Sequence, residues 1–322
     1  MLNTILVPLD GSPLAETALE PAMLLARRFE ADLLLVRALA PEALLEGSPR
    51  FEATHDAQRY LKSIADYLHG ENIVAHMVVL PLEAAEGIID EAVFSEVDLI
   101  VMATHGRKGI DALFHPSVTW QVLRQTNAPI LTCKCTSNDD PAALTLHLPP
   151  FMIDPQAPIL VALDGSLQAE GALPIAAELA RTFGNPLLLV RAGEQPSIAG
   201  GVIGYEAMMG QAWEWSLEEA ENYLKRKAAE LASTGLKVQT KTAVGSAAPF
   251  IEQVAEEREA GLIVMASHGR GWLGRFALGS VAQSVLQEGD TPVLLVHRQH
   301  SHISSEQPSA SHETVEQQLV LR

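Results

Sequence analysis

The segment LIVMASHGR, residues 262–270, is followed after eight residues by Gly279-Ser280-Val281. An apolar run here ends in a loop of small residues, and a helical pattern begins at Ser280. Glycine allows the backbone to approach a ligand closely, and the free N–H groups in the first turn of a helix point toward negative charge. The segment therefore predicts a buried strand, an anion-binding loop and a helix.

The same segment occurs earlier in the chain as VMATHGR, residues 101–107, followed by His115-Pro116-Ser117-Val118. Pro116 takes the position that Gly279 occupies in the second copy. Proline lacks an N–H and places a ring where an anion would approach, although it is favourable as a first helical residue. The first copy should therefore keep the fold while its phosphate binding is weakened or lost.

The duplication extends over most of the chain. LVPLDGS at residues 6–12 matches LVALDGS at 160–166, an offset of 154, whereas the loop segments are offset by 163. The second copy thus has nine more residues (163 − 154), which fall in a glycine-rich segment between Ala192 and Tyr223. Repetition on this scale indicates two copies of one domain. We expect domains at 1–135 and 158–298, a proline-rich linker at 136–157 and a disordered tail at 299–322.

Each copy alternates apolar runs with helical patterns. Runs such as Ile5–Leu9 do not alternate apolar with polar residues, which is typical of strands buried on both faces. Apolar residues from Ala15 to Phe29 recur at helical spacing, with Ser12 as N-cap and Pro13 as first helical residue. Five strands and four helices per copy predict two tandem α/β domains with parallel sheets.

Composition and charge exclude some functions. The formal net charge of −18 argues against a nucleic-acid partner, which would require a basic face. No apolar segment approaches the roughly 20 residues of a membrane span. The first residues, Met1–Pro8, read as a strand without a charged segment before it, so we expect no secretory signal and a cytoplasmic location.

Together these motifs resemble the universal stress protein family in its tandem-domain form. The resemblance rests on the strands that end in VPLDGS and VALDGS, the repeated LLLVRA, and VMASHGR with its downstream GSV. It implies an open, doubly wound sheet of order 3-2-1-4-5 in each domain, similar to the adenine nucleotide alpha-hydrolases. It also implies that Ile130–Cys133 pairs with Val293–Val296 as a pseudo-dimer within one chain, and it leaves a further homodimer open.

The resemblance also implies an ATP site, mainly in the second domain, and leaves Mg²⁺ open. Asp164 would meet the adenosine portion and Val190 the adenine. The residues implied to bind nucleotide in the second domain are Asp164, Val190, Met265, Ala266, His268, Gly269, Arg270, Gly279, Ser280 and Val281. Their weaker counterparts in the first domain are Asp10, Val36, Met102, Ala103, Gly106, Ser117 and Val118. Ala266 and Ala103 stand where the family has the first glycine of G-x-x-G, and alanine disfavours positive φ.

A set of catalytic residues does not accompany the binding motif. The loop has no lysine of the G-K-[ST] type, and His105 and His268 have no acid or nucleophile as a partner in their motifs. We therefore expect a cytoplasmic stress-response protein that binds ATP as a regulatory module and at most hydrolyses it slowly. Two alternatives remain open: a protein-interaction scaffold that needs no nucleotide, and a weak ATPase.

Overall fold

The computed structural model describes residues 2–39, 50–105, 118–137, 144–146, 148–193, 205–269 and 278–297. The expected tail at 299–322 lies outside these ranges. So do six residues of the two loop segments, namely Gly106, Arg107, His115, Pro116, Ser117 and Arg270.

The first half of the chain alternates strands and helices as its repeat pattern predicts. Its elements are β1 (Thr4–Pro8), α1 (Pro13–Glu16), α2 (Leu19–Phe29), β2 (Asp32–Ala38), α3 (Arg50–Gly70), β3 (Ala75–Leu80), α4 (Ala84–Phe94), β4 (Leu99–His105), α5 (Val118–Gln125) and β5 (Ile130–Ser137).

The second half repeats this series after two short elements, β6 (Leu144–Leu146) and α6 (Pro150–Ile153). Its elements are β7 (Ile159–Ala162), α7 (Leu167–Glu170), α8 (Leu173–Phe183), β8 (Leu187–Gly193), α9 (Tyr205–Ala232), β9 (Val238–Val244), α10 (Ala247–Glu257), β10 (Leu262–Ala266), α11 (Ser280–Glu288) and β11 (Val293–Val296).

Strand β1 shows why the apolar runs become central strands. Ile5, Leu6 and Val7 are all fully buried, because β1 lies between β2 and β4 and helices cover both faces. Burying each such side chain stabilises the fold by roughly 1.5–3 kcal/mol. The strand leads into a turn at Gly11, whose φ of +86° favours glycine, and Gly165 repeats this turn with φ +84°.

The strands form one continuous sheet in the order β3-β2-β1-β4-β5-β11-β10-β7-β8-β9. Read from its outer edge toward the centre, each half has the predicted order 3-2-1-4-5, with parallel pairing throughout. In such sheets, ligands bind outside the carboxyl ends of the strands where the strand order reverses. That point falls between β1 and β4 in the first half and between β7 and β10 in the second.

The two halves join through their last strands, as predicted. Strand β5 pairs antiparallel with β11, and Ile130 lies opposite Leu295 and Thr132 opposite Val293. The Thr132 hydroxyl also donates to the Val293 carbonyl at 3.1 Å. This pairing covers two edges that would otherwise be exposed to other chains.

The hydrophobic core is continuous between the halves on each face of the sheet. One layer includes Val7 and Leu25 from the first half together with Val161 and Leu179 from the second. The layer on the other face joins residues such as Ile100 and Ile263 in the same way. The joined sheet therefore packs as a unit around two apolar layers.

Two details differ from the sequence-based expectation. The helix expected from Ala15 to Phe29 is broken after Glu16, because Pro21 cannot donate a hydrogen bond to the preceding turn and instead lies in the first turn of α2. The linker also carries regular structure: β6 pairs with β5, and Phe151 of α6 is buried. In the part of the chain that the structure describes, no helix is long and apolar enough to cross a membrane.

Candidate functional site

A cavity of about 350 Å³ opens at the carboxyl ends of β7 and β10. Its wall is formed by the Asp-Gly-Ser turn after β7, the loop after β10 and the first turn of α11. Aliphatic side chains such as Ile251 and Leu278 line its apolar part. A volume in this range is typical of small-molecule sites, which occupy about 300–1,000 Å³.

Hydrogen bonds within its own turn hold the Asp164 carboxylate in place. One oxygen, Oδ1, accepts from the Ser166 N–H at 2.9 Å and from the Ser166 hydroxyl at 2.6 Å. The Ser166 hydroxyl oxygen in turn accepts from the Ala169 N–H at 3.1 Å and so caps α7. The other carboxylate oxygen, Oδ2, faces Gly269, where an added Cβ would lie only 2.3 Å away. Gly269 therefore leaves room for this carboxylate at the wall of the cavity.

The loop after β10 is anchored by backbone hydrogen bonds. Ser267 is buried, its N–H donates to the Val296 carbonyl at 2.9 Å, and its carbonyl accepts from Gly279 N–H at 2.9 Å. The second of these bonds connects the end of β10 directly to the start of α11. Beside it, the His268 ring lies 2.9 Å from the Ser267 hydroxyl. Burial lowers the pKa of His268, so the imidazole is neutral at pH 7.

The N-terminus of α11 is suited to bind an anion. Gly279 is the N-cap residue and provides no side-chain cap, and Ser280 and Val281 of the first turn line the cavity. The N–H groups of a first turn, together with the partial positive charge of the helix start, form a binding site for phosphate or carboxylate. Asp164 also lines the cavity, and its carboxylate suits hydroxyl donors rather than phosphate.

The structure brings most of the predicted second-domain residues together. Those that line the cavity are Asp164, Met265, Ala266, His268, Gly269, Gly279, Ser280 and Val281. Val190 is fully buried beside Ala162 in the sheet and does not line the cavity, so its contact with adenine stays a prediction. Arg270 lies outside the described residues.

Sequence reasoning missed several residues of the cavity wall. Ser267 belongs to the quoted segment but was not singled out, although its backbone closes the loop. Ala247 and Ile251 come from α10, which the repeat motifs do not include. Their apolar periodicity on a helix beside the sheet is a signal for core packing and does not distinguish a cavity wall.

The first half carries a smaller cavity at the equivalent place, of about 180 Å³. Five of its predicted residues line it, namely Asp10, Val36, Met102, Ala103 and Val118. Asp10 repeats the turn of Asp164, because its Oδ1 accepts from the Ser12 N–H at 2.8 Å. Gly106 and Ser117 lie outside the described residues.

An arginine lies against a tyrosine ring at matching positions in both halves. The Arg191 guanidinium lies 4.9 Å from the centre of the Tyr223 ring, and Arg37 lies 4.8 Å from that of Tyr60. Tyr223 donates to Glu170 at 3.1 Å. Burial, more than the nearby carboxylates, raises the pKa of both tyrosines, so they stay protonated donors. The repeated LLLVRA and Tyr-Leu segments already contain this pair, but sequence alone did not connect them.

The larger cavity has few ionisable side chains among its described lining residues. Its described lining residues contain one carboxylate, Asp164, one imidazole, His268, and no lysine. Among the described residues, no group of three or more His, Cys, Asp or Glu side chains is placed to hold a metal ion. A divalent cation at this site would therefore need ligands from the bound molecule as well as from Asp164.

Comparison with known proteins gives a consistent result. The model of the universal stress protein family matches residues 1–134 and 157–297. A universal stress protein of Mycolicibacterium smegmatis is 25% identical over 309 residues, which cover 91% of this chain and 96% of that protein. A universal stress protein of Thermus aquaticus is 38% identical over 140 residues, 43% of this chain and 96% of its own.

The fold agrees with a solved structure as well. The crystal structure of a universal stress protein from Archaeoglobus fulgidus matches with a TM-score of 0.67 and 19% identity, covering 92% of this chain and 96% of that one. At this identity the match shows the fold alone. The family model, however, covers both halves of the duplicated sheet, and the chain therefore belongs to the universal stress protein family as a tandem pair of domains.

Proposed function

We propose that this protein binds ATP in the cavity of its second domain and acts as a ligand-responsive regulatory module. The observation that carries the proposal is the first turn of α11, whose N-cap residue provides no side-chain cap and which lines a cavity of about 350 Å³. Phosphate oxygens would accept hydrogen bonds from the N–H groups of Ser280 and Val281. Asp164 would accept from the ribose hydroxyls.

In this proposal the two domains, residues 1–135 and 158–298, differ in their capacity to bind nucleotide. The first-domain cavity, about 180 Å³, is smaller than typical ligand sites, and its loop sequence has Pro116 in place of Gly279. We expect nucleotide mainly in the second domain, with Mg²⁺ held largely by the phosphates. A cytoplasmic location and a further homodimer belong to the same proposal.

The test uses Gly279→Pro. The φ of Gly279 is −60°, which proline adopts without strain, so the variant should keep the fold. Proline has no N–H to donate to the Ser267 carbonyl, and a Cβ at this position would lie 3.1 Å from that oxygen. We expect the affinity for ATP to fall by about tenfold or more, because a hydrogen bond of the site is lost and its geometry changes.

The measurement is titration calorimetry with ATP, together with chromatography of any nucleotide that co-purifies. Circular dichroism and thermal unfolding establish that Gly279→Pro is folded. Pro116→Gly is the matched variant, and a gain of ATP binding there would identify proline as the obstacle in the first domain. If the wild-type protein carries no nucleotide and shows no affinity for ATP at millimolar concentration, the proposal is wrong and the scaffold alternative is favoured.

A further inference from the structure

A buried lysine of the first half contacts the helix that opens the cavity of the second half. Lys134, on β5, is only 8% exposed, and its ammonium group donates to the Gly289 carbonyl across the junction of the two halves. Gly289 is the C-cap residue of α11, where its N–H donates to the Val285 carbonyl. The lysine therefore binds the C-terminal end of the same helix whose N-terminal end lines the cavity.

The surroundings of Gly289 suit a cation. The last carbonyl groups of a helix have no partners within the helix and carry partial negative charge. Glu252 of α10 lies nearby, since a Cβ on Gly289 would be 3.8 Å from its Oε1. Burying an ammonium group is costly unless it is paired, so Lys134 fixes the helix end only while these acceptors stay in place.

Helix α11 connects the contact with Lys134 to the cavity. It has nine residues, and at a rise of about 1.5 Å per residue its ends are about 13 Å apart. The electrostatic effect of a charge at one helix end fades within a turn, so the connection acts through the position of the helix. A helix fixed at its C-terminal end presents its first-turn N–H groups to a ligand in one orientation.

The repeat provides a natural comparison at the same junction. His297 is the counterpart of Lys134, 163 residues further along, and its Nε2 lies 2.9 Å from the Leu123 carbonyl of α5 in the first half. Burial lowers the pKa of His297, which makes it a neutral partner at pH 7. The helix at the larger cavity thus receives a cation, and its counterpart at the smaller cavity receives a neutral ring.

We propose that Lys134 of the first domain is a positioning residue for the phosphate-binding turn of the second domain. The inference rests on the proposed ATP site and adds a role for the first domain in it. The first half supplies the contact that fixes α11 for ligand binding, whether or not it binds nucleotide itself.

The test is Lys134→Met, which keeps most of the aliphatic length and removes the donor and the charge. We expect ATP to bind about three- to tenfold more weakly, and adenosine, which makes no phosphate contact, to change by less than about twofold. Lys134→Arg, which keeps a charged donor, should bind ATP with nearly the affinity of the wild-type protein. Lys134→Gln serves if the methionine variant does not fold, and it should give an intermediate loss.

The matched control is Thr132→Val, which removes another hydrogen bond across the junction, to Val293, without touching α11. It should change ATP affinity by less than about twofold. Equal losses in both variants, or equal losses for ATP and adenosine, would overturn the inference and indicate general loosening of the junction. Unchanged ATP affinity in Lys134→Met would also overturn it. Failure of the wild-type protein to bind ATP would instead remove the proposed function on which the inference rests.

Discussion

The two halves of the sheet have the same strand order but different cavities, about 350 Å³ in the second half and about 180 Å³ in the first. The turns below the cavities are alike, since Ser166 N–H bonds Asp164 at 2.9 Å and Ser12 N–H bonds Asp10 at 2.8 Å. The arginine–tyrosine pairs are alike as well. In sequence, the halves differ at the start of the helix after the loop, where the first half has Pro116 in place of Gly279.

This contrast shows that the two halves keep the same strand order and turns while their cavities differ in size. Central strands such as β1 and β7 are buried on both faces, so most substitutions there cost packing energy. Loop segments such as those that precede Gly279 and Pro116 in the sequence generally tolerate substitution with little cost to the core. Substitutions at matched positions in the two halves therefore test whether the fold and the cavity vary independently.

The largest effect is expected at the start of β10. Gly261 lies against the linker helix α6, and a Cβ there would be 2.3 Å from the Phe151 backbone nitrogen. Gly261→Ala must therefore displace backbone, and we expect the free energy of unfolding to fall by about 3 kcal/mol. Urea unfolding followed by circular dichroism measures this loss.

The matched position in the first half is Asp98, whose carboxylate accepts from the Asn3 and Thr4 N–H groups at 2.7 and 3.1 Å. Asp98→Ala loses these bonds at a partly exposed site and should cost only about 1 kcal/mol. A cost for Gly261→Ala no greater than that for Asp98→Ala would contradict the close packing of α6 on β10.

The next effect is on ligand affinity and concerns Gly269. An added Cβ would lie 2.3 Å from Asp164 Oδ2, so Gly269→Ala should push the carboxylate out of its bonds with Ser166. We expect ATP affinity to fall about ten- to hundredfold, which corresponds to about 1.4–2.8 kcal/mol. Titration calorimetry measures the change.

Gly106→Ala is the counterpart in the first domain. If ATP binds mainly in the second domain, this variant should leave the overall affinity within about twofold of wild type. A loss of ATP affinity as large as that of Gly269→Ala would show that the first domain also binds nucleotide. The two cavities would then not differ in function.

A smaller effect, on pH dependence, is expected from His297. Its pKa is lowered mainly by burial and also by nearby His268, so the unfolded chain binds a proton more readily than the folded one. The contribution of neutral His297 to the free energy of unfolding is fully present above the unfolded pKa of about 6.5. It is lost as the pH falls below about 6.5 toward the folded pKa, by at most about 1.4 kcal/mol per pH unit. His297→Gln keeps an amide donor for Leu123 and should flatten the stability curve below pH 6.5.

The control for this experiment is His268→Gln, because burial lowers the pKa of His268 as well. His268 is only half-buried, so its removal should flatten the curve less than removal of His297 does. Thermal unfolding from pH 7.5 to 5 measures both variants. Identical curves for wild type and His297→Gln would mean that the junction does not sense protonation.

Sequence predicted the sheet well because its signals are local and repeated. Continuous apolar runs gave the strands, and the Asp-Gly-Ser segments gave both turns and their serine caps. The cavity wall was predicted where it follows the motif from Met265 to Val281. Ile251 and Lys134 were missed because their roles depend on contacts with distant segments, which spacing along one element does not reveal.

The smallest effect is expected in the arginine–tyrosine pairs, and it tests whether the scaffold is equivalent in the two halves. Tyr223→Phe removes the hydroxyl that donates to Glu170 at 3.1 Å, and Tyr60→Phe removes the one that donates to Glu16 at 2.8 Å. Each variant should lose about 0.5–1.5 kcal/mol of unfolding free energy. ATP affinity should not change, because neither tyrosine lines a cavity.

The two carboxylates differ in one respect that makes the comparison informative. Glu170 keeps a second partner, Lys227 at 3.0 Å, whereas the position equivalent to Lys227 in the first half is Ile64. Glu16 is more exposed, so water replaces the lost phenol there and the costs should agree within about 0.5 kcal/mol. Equal costs would show that the tyrosine hydrogen bond stabilises both halves alike although their loop sequences differ. If Tyr223→Phe lowers ATP affinity and Tyr60→Phe does not, the Arg191–Tyr223 pair contributes to ligand binding. The pair would then have a role beyond stabilising the fold.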